Sequence, residues 1–282
     1  MGSRKTPKYE KKRQHFIPRC YLNAWTDPET PAGQIPFVHL ITKDGKGHRR
    51  KAPSKIFHET DLYTIKLPNE GRDLRIEDGL GELESSFARI RKDFLIPRKP
   101  VPRVPMVKLL AFVAAMHART MVMKNHQSSQ WGELLAKVGT MVGDDGVIEF
   151  RDGWGEGGET SQMTMADLRS LADNPIPTTL PSAIDIETPR LMMMQCFILC
   201  IDHPTGFITS DNPVVWHNTD RAKSNEDKFW GPSFADPELE ITFPISPERA
   251  MLIRHGEPGL SYLDVNDDVV RMLNARTRIY AG

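Results

Sequence analysis

The chain is short of cysteine, has no long apolar run and carries no net charge. Three cysteines in 282 residues, Cys20, Cys196 and Cys200, are too few and too odd in number for a disulfide framework. That scarcity fits a reducing compartment, so a cytoplasmic location is expected. Cys196 and Cys200 lie in an apolar run with no His or third Cys at ligand spacing, so they read as core residues and not as half of a zinc site. The longest apolar run, LMMMQCFILCI at 191–201, falls short of the roughly 18 to 20 residues that a bilayer-crossing helix needs, and it suits a buried strand. The first residues contain no apolar stretch of the kind a secretory leader carries. No membrane partner is therefore expected.

Several chemistries lack their signatures as well. There is no G-x-S-x-G elbow, Walker loop, EF-hand or internal repeat. Gly153, Gly155 and Gly158 match G-x-G-x-x-G, but Asp152, Glu156 and Glu159 crowd that loop with negative charge and would repel a pyrophosphate. HETD at 58–61 lacks the second histidine of a zincin helix. No ligand spacing marks a metal site, so the cofactor is unknown, a divalent ion being compatible with the carboxylates discussed below.

What is present is a chain with 39% apolar and 26% charged residues, enough for a real core in a globular body. The zero net charge conceals an asymmetry. Residues 1–105 hold 22 Lys and Arg against 13 Asp and Glu, a balance of +9, and residues 106–282 hold 15 against 24, a balance of −9. A basic third either meets a phosphate-rich partner such as nucleic acid or docks on the acidic remainder of its own chain.

The pattern along the chain predicts an α+β fold: a central helical cluster packed against a mostly antiparallel or mixed sheet with strands from both ends of the chain. Residues 1–13 read as a basic flexible arm, and 14–282 as a single α+β domain. Strands are expected in 35–50 and 59–65. Ile76, Leu80, Leu83, Phe87, Ile90 and Phe94 alternate at spacings of four and three, the stripe of an amphipathic helix that stops at Pro97. A helix apolar around most of its girth follows at 106–123, then a third at 129–142; together with the first they make a helical part at about 76–142. An acidic Gly-rich hairpin and loop follow at 143–161. A short helix at 164–174 opens with Thr164 as N-cap and Asp167 three residues on. The strand-rich part spans about 188–258, with a hairpin flanking HPT at 203–205 and two further strands in LEITFPIS and RAMLIRH. The end, about 265–280, reads as a helix.

QHFIPRCYLNAW (14–25), LGELESSFARI, ARTMVM, FITSDNPVV, ITFPISPERAMLI and VNDDVVRMLNARTRIYA occur here in the order seen in one family. Over about residues 14–281 the chain resembles the uncharacterised domain-of-unknown-function 4238 family. The Gln-His-aromatic-x-Pro opening and the Ser-Asp-Asn-Pro turn are its most specific pieces. Met116 departs from the pattern, which more often has glutamine there. The resemblance implies a shared fold and a shared site, and supplies no reaction.

The candidate catalytic residues are His15, Glu84, Arg119 and Asp211, with Arg19 and Asn212 as candidates for substrate binding. His15 stands where the basic arm meets the apolar body, and a histidine there suits proton transfer near neutral pH. The bland alternative is a ring bonded to a backbone carbonyl. Glu84 lies at the edge of its helix seam, in line with Glu77 and Arg91 at intervals of seven. Arg119 interrupts an apolar helix, so each needs a partner and the two are expected to meet. His117 points to another side of that helix and reads as a satisfied core histidine. Asp211 and Asn212 end a strand, where turn-making and a site role compete.

Three functions follow: a hydrolase of phosphodiester bonds in nucleic acid, a nucleic-acid-binding module without chemistry, and a scaffold or regulatory protein whose polar groups are structural. In the first, His15 is the general acid/base, Arg119 and Arg19 stabilise negative charge, and Asp211 orients a base or holds a divalent ion. Oligomeric state is not legible.

Overall fold

A computed structural model describes residues 12–67, 71–140, 142, 146–151, 160–202, 206–218 and 232–282. Most of the basic arm, the tip of the 143–161 loop and the HPT segment lie outside the described residues.

The first third is built of short pieces. Strand β1 (Arg13–His15) leads into a one-turn helix α1 (Arg19–Leu22), continued as a 3-10 turn over Asn23–Trp25. Pro18 precedes α1 in an extended conformation, which its ring tolerates at a helix start. A hairpin of β2 (Val38–Ile41) and β3 (His48–Lys51) follows, then β4 (His58–Thr60) pairing with β1, and β5 (Ile65–Lys66) pairing with β6 (Arg72–Asp73).

Helix α2 (Arg75–Ile90) turns its stripe inward, with Leu80, Phe87 and Ile90 buried, and runs on into a π-helical turn over Arg91–Leu95. Helix α3 (Arg103–Ala118) buries eight residues between α2 and α6 (Ile176–Met192). Phe87 stacks on Phe112 at 4.0 Å between ring centres. Helix α4 (Met121–Gly139) packs on α5 (Met165–Asp173), and the strands β7 (Val147–Arg151) and β8 (Thr160–Thr164) form a hairpin between them. The expected capping box at Thr164 and Asp167 is present, each side chain bonding the other's backbone N–H.

The main sheet has the order β10 (Val215–Asn218), β11 (Leu239–Ser246), β12 (Arg249–Arg254), β9 (Gln195–Cys200), β13 (Gly259–Asp264). Only the β9–β13 pair is parallel, so the sheet is mixed. Along β9, Cys196, Ile198 and Cys200 face the large core, while Phe197 and Leu199 face α7 (Asp267–Tyr280) through Val270 and Leu273. Cover on both faces explains why this strand is a continuous apolar run. The fold is α+β, as expected from the sequence.

Four details differ from the sequence reading. The strands of the first third stay in their own two-stranded sheets instead of joining the main one. The helices expected at 106–123 and 129–142 are instead α3 and α4, bent by 59° at Arg119–Thr120. Thr120 supplies the reason: its side chain accepts from the Met123 N–H and starts a new helix. A helix for which the sequence reading made no provision, α6, fills 176–192 and tolerates Pro181 and Pro189 internally. Finally, no β9–β10 hairpin forms, because β12 and β13 occupy both edges of β9. Among the described residues, no single helix is long and apolar enough to cross a membrane.

Candidate functional site

Residues 14–25 owe their position to a few buried polar ties. Gln14, wholly buried, accepts from the Tyr63 N–H at 2.6 Å and donates to Thr64 Oγ1 at 3.1 Å. Tyr21 donates its hydroxyl proton to the Pro244 carbonyl at 2.9 Å and stacks on Phe243 at 5.3 Å. Trp25 Nε1 donates to the Phe207 carbonyl at 2.8 Å. Arg91, on the π-helical turn, donates to the Cys20 and Tyr21 carbonyls. These bonds clamp α1 between the main sheet and α2, and they leave the outward side of the segment facing a cleft.

That cleft has a volume of about 470 Å³. Its floor and walls come from His15, Arg19, Cys20 and Asn23 on the N-terminal segment, and from Glu77 and Glu84 on α2. Ile35–Pro36 and Ala52–Ser54, the two feet of the β2–β3 hairpin, complete it.

Glu84 accepts from Arg119 Nη1 at 2.9 Å. The Arg119 side chain has no exposed surface, and its Nη2 donates to Met116 Sδ at 3.4 Å. Its Nε is buried without a partner among the described residues. Burial alone would lower the guanidinium's pKa, but Tyr63 and Glu84 outweigh it, so the group is held firmly charged. Arg119 closes α3 instead of lying mid-helix, with φ −95° and ψ 4°, and from that break its side chain reaches back to Glu84. A side chain so enclosed does not reach a substrate as positioned; it holds Glu84, which is the group that meets the cleft.

His15 stays neutral across the physiological range. Its pKa is pushed down to about 4, first by burial, then by His58, Arg19 and Arg119, against a backbone hydrogen bond with Ser54. The His58 ring lies edge-on to it at 5.4 Å. The Nε2 atom of His15 is buried with no hydrogen-bond partner among the described residues. An unpaired buried nitrogen costs about 1–3 kcal/mol, so its retention calls for an explanation. Cys20, which also lines the cleft, is held as the thiol: burial first, then Glu84, pushes it up to about 11.

Of the residues singled out in the sequence, His15, Arg19 and Glu84 share the cleft, with Arg119 behind Glu84. Asp211 and Asn212 are not among its lining residues. Asp211 accepts from the Gly282 N–H at 3.0 Å, and Asn212 donates to the Tyr280 carbonyl at 3.0 Å, so this turn holds the end of α7. His117 bonds both carboxylate oxygens of Glu187, at 3.0 and 3.2 Å, and stacks on Trp216. Among the described residues, no group of three or more His, Cys, Asp or Glu side chains is placed to hold a metal ion. The sequence reading missed Cys20, Asn23 and Ser54 as lining residues. Glu77 was visible only through its seven-residue offset from Glu84.

No curated protein and no solved structure matches the chain. The family model described as "Protein of unknown function (DUF4238)" matches residues 13–281, nearly the whole chain, and the chain belongs to that family.

Proposed function

We propose that the protein is a hydrolase of phosphodiester bonds in nucleic acid, with the cleft beside His15 as its active site. The observation that supports this reading is His15 itself: a neutral imidazole lining a polar cleft that the Glu84 carboxylate also meets. A neutral imidazole accepts a proton from the attacking water. Arg19, exposed at the mouth, offers positive charge to the phosphoryl oxygens, where negative charge grows in the transition state. Glu84, its own charge balanced by Arg119, orients the water or takes up a proton. Arg119 is a positioning residue in this scheme, and Asp211 has no part in it.

The test is turnover of a labelled oligonucleotide and of a small phosphodiester by the full chain. His15→Ala is expected to remove turnover while shifting the melting temperature little. Wild-type protein that cleaves neither substrate refutes the reading. A His15→Ala variant that unfolds instead assigns the ring to the fold. If oligonucleotide binds and is never cut, the chain is a binding module.

A further inference from the structure

The β2–β3 hairpin stands directly on the cleft wall. β2 starts two residues after Pro36 and β3 ends immediately before Ala52, both of which line the cleft. From Lys43 to Lys51 the chain carries five Lys and Arg against one acid, Asp44, whose carboxylate is occupied by Thr42 and the Lys46 N–H. All four residues of β3, His48-Arg49-Arg50-Lys51, are exposed. Among the described residues, Arg49, Arg50 and Lys51 enter no ion pair.

The hairpin also presents rings. Its register pairs Val38 with Lys51, His39 with Arg50 and Ile41 with His48. Val38 is buried, so the alternate residues His39, Ile41, His48 and Arg50 share the opposite face. On that face the Arg50 guanidinium lies over the Phe37 ring at 5.0 Å, and His39 meets the same ring edge-on at 5.4 Å. His39 in turn stacks on His48 with an interplanar angle of 2°, and their ring nitrogens lie 2.6 Å apart. Ile41 closes the row, 63% exposed. Four residues of strand extend about 14 Å, the reach of two to three nucleotides.

We propose that this face is a docking strip for single-stranded nucleic acid, which leads the strand from the hairpin to the cleft. It rests on the reading of the cleft as a phosphodiesterase site for its purpose, but not for its binding. Two features select this partner over an acidic protein or an anionic membrane. Flat rings lie in a row beside the Arg50 guanidinium, which suits bases stacked next to a phosphate. The strip also runs into a cleft lined by His15, Arg19, Asn23, Glu77 and Glu84.

The experiment is fluorescence anisotropy of the full chain with a labelled single-stranded oligonucleotide of about 12 nucleotides across a salt series. Wild type should bind, and His48→Ala/Arg50→Ala, both on the strip, should bind about tenfold or more weakly, with the slope of log affinity against log salt shallower by about 0.7. Both side chains are exposed, and an unchanged melting temperature confirms that the variant folds. Equal binding by wild type and variant overturns the proposal, as does binding to phosphatidylserine vesicles with none to the oligonucleotide. Hairpin-dependent binding by a wild type that never cuts leaves the strip in place and removes the hydrolase reading.

Discussion

A histidine that titrates near 4 makes a simple demand on the pH dependence of the protein. Its folded value lies below the ordinary 6.5, so the unfolded chain takes up the proton more readily. Stability is therefore full above about 6.5 and declines as the pH falls through the window from 6.5 to 4. Urea titrations at pH 7 and pH 5 should show wild type losing more stability at the lower pH than His15→Gln does. The same value sets the acid limb of turnover, which should fall near pH 4 and not near 6.5; a limb at 6.5 would mean that another group carries the proton. His15 was conspicuous in the sequence because it stands between a basic arm and apolar residues. Its depressed pKa was not, because its burial and its contact with His58 arise through a chain reversal that no local pattern reveals. Arg119 shows the same limit. Its need for a partner was plain, and Glu84 was the partner expected, but its place at a helix break was hidden because Thr120 reads as one more residue in an apolar stretch.

The Glu84–Arg119 bond is also what ties α2 to the end of α3. Removing the carboxylate leaves an enclosed guanidinium without its counter-charge. Glu84→Ala is therefore expected to cost about 3 kcal/mol. Arg119→Met in the same background should restore part of that loss, since an apolar side chain suits the site better than an unpaired charge. Chemical denaturation of the two singles and the double gives the coupling, and additive effects would show that the pair does not act as a unit. At this scale the α2 stripe and the Thr164 box were readable because each follows from periodicity or from a cap. Helix α6 was not. Its prolines at 181 and 189 argue against a helix locally, and packing against α3 overrides them. Strand β13 also went unread, because its pattern alternates between intermediate and exposed residues at a sheet edge and lacks an apolar run.

For the molecule as a whole, the opening segment depends on the last third. The Tyr21 hydroxyl joins residues 223 positions apart in the chain when it bonds Pro244, and it also meets Thr209 at 2.6 Å. Tyr21→Phe keeps the ring stack on Phe243 but leaves a buried carbonyl unpaired. It should cost about 1–3 kcal/mol in a denaturant titration and loosen the cleft floor around Cys20. A Tyr21→Phe protein as stable as wild type would show that stacking alone holds the segment. The α+β class was legible from helices gathered mid-chain and strands gathered late. The shared cleft was not, because its walls come from residues 15 to 84, and their meeting depends on sheet contacts made far downstream.

The nearest strand partner of β9 along the chain is Arg249, which lies opposite Cys200 and 49 positions on. The strand waits for β12 and β13, whose pairing residues begin at Arg249 and Gly259. On the ribosome, an apolar strand at 195–200 is thus made well before either companion exists, and for that interval it needs shelter from other nascent chains. The cleft floor, tied to this sheet through Tyr21 and Pro244, takes shape only after β11 has been made.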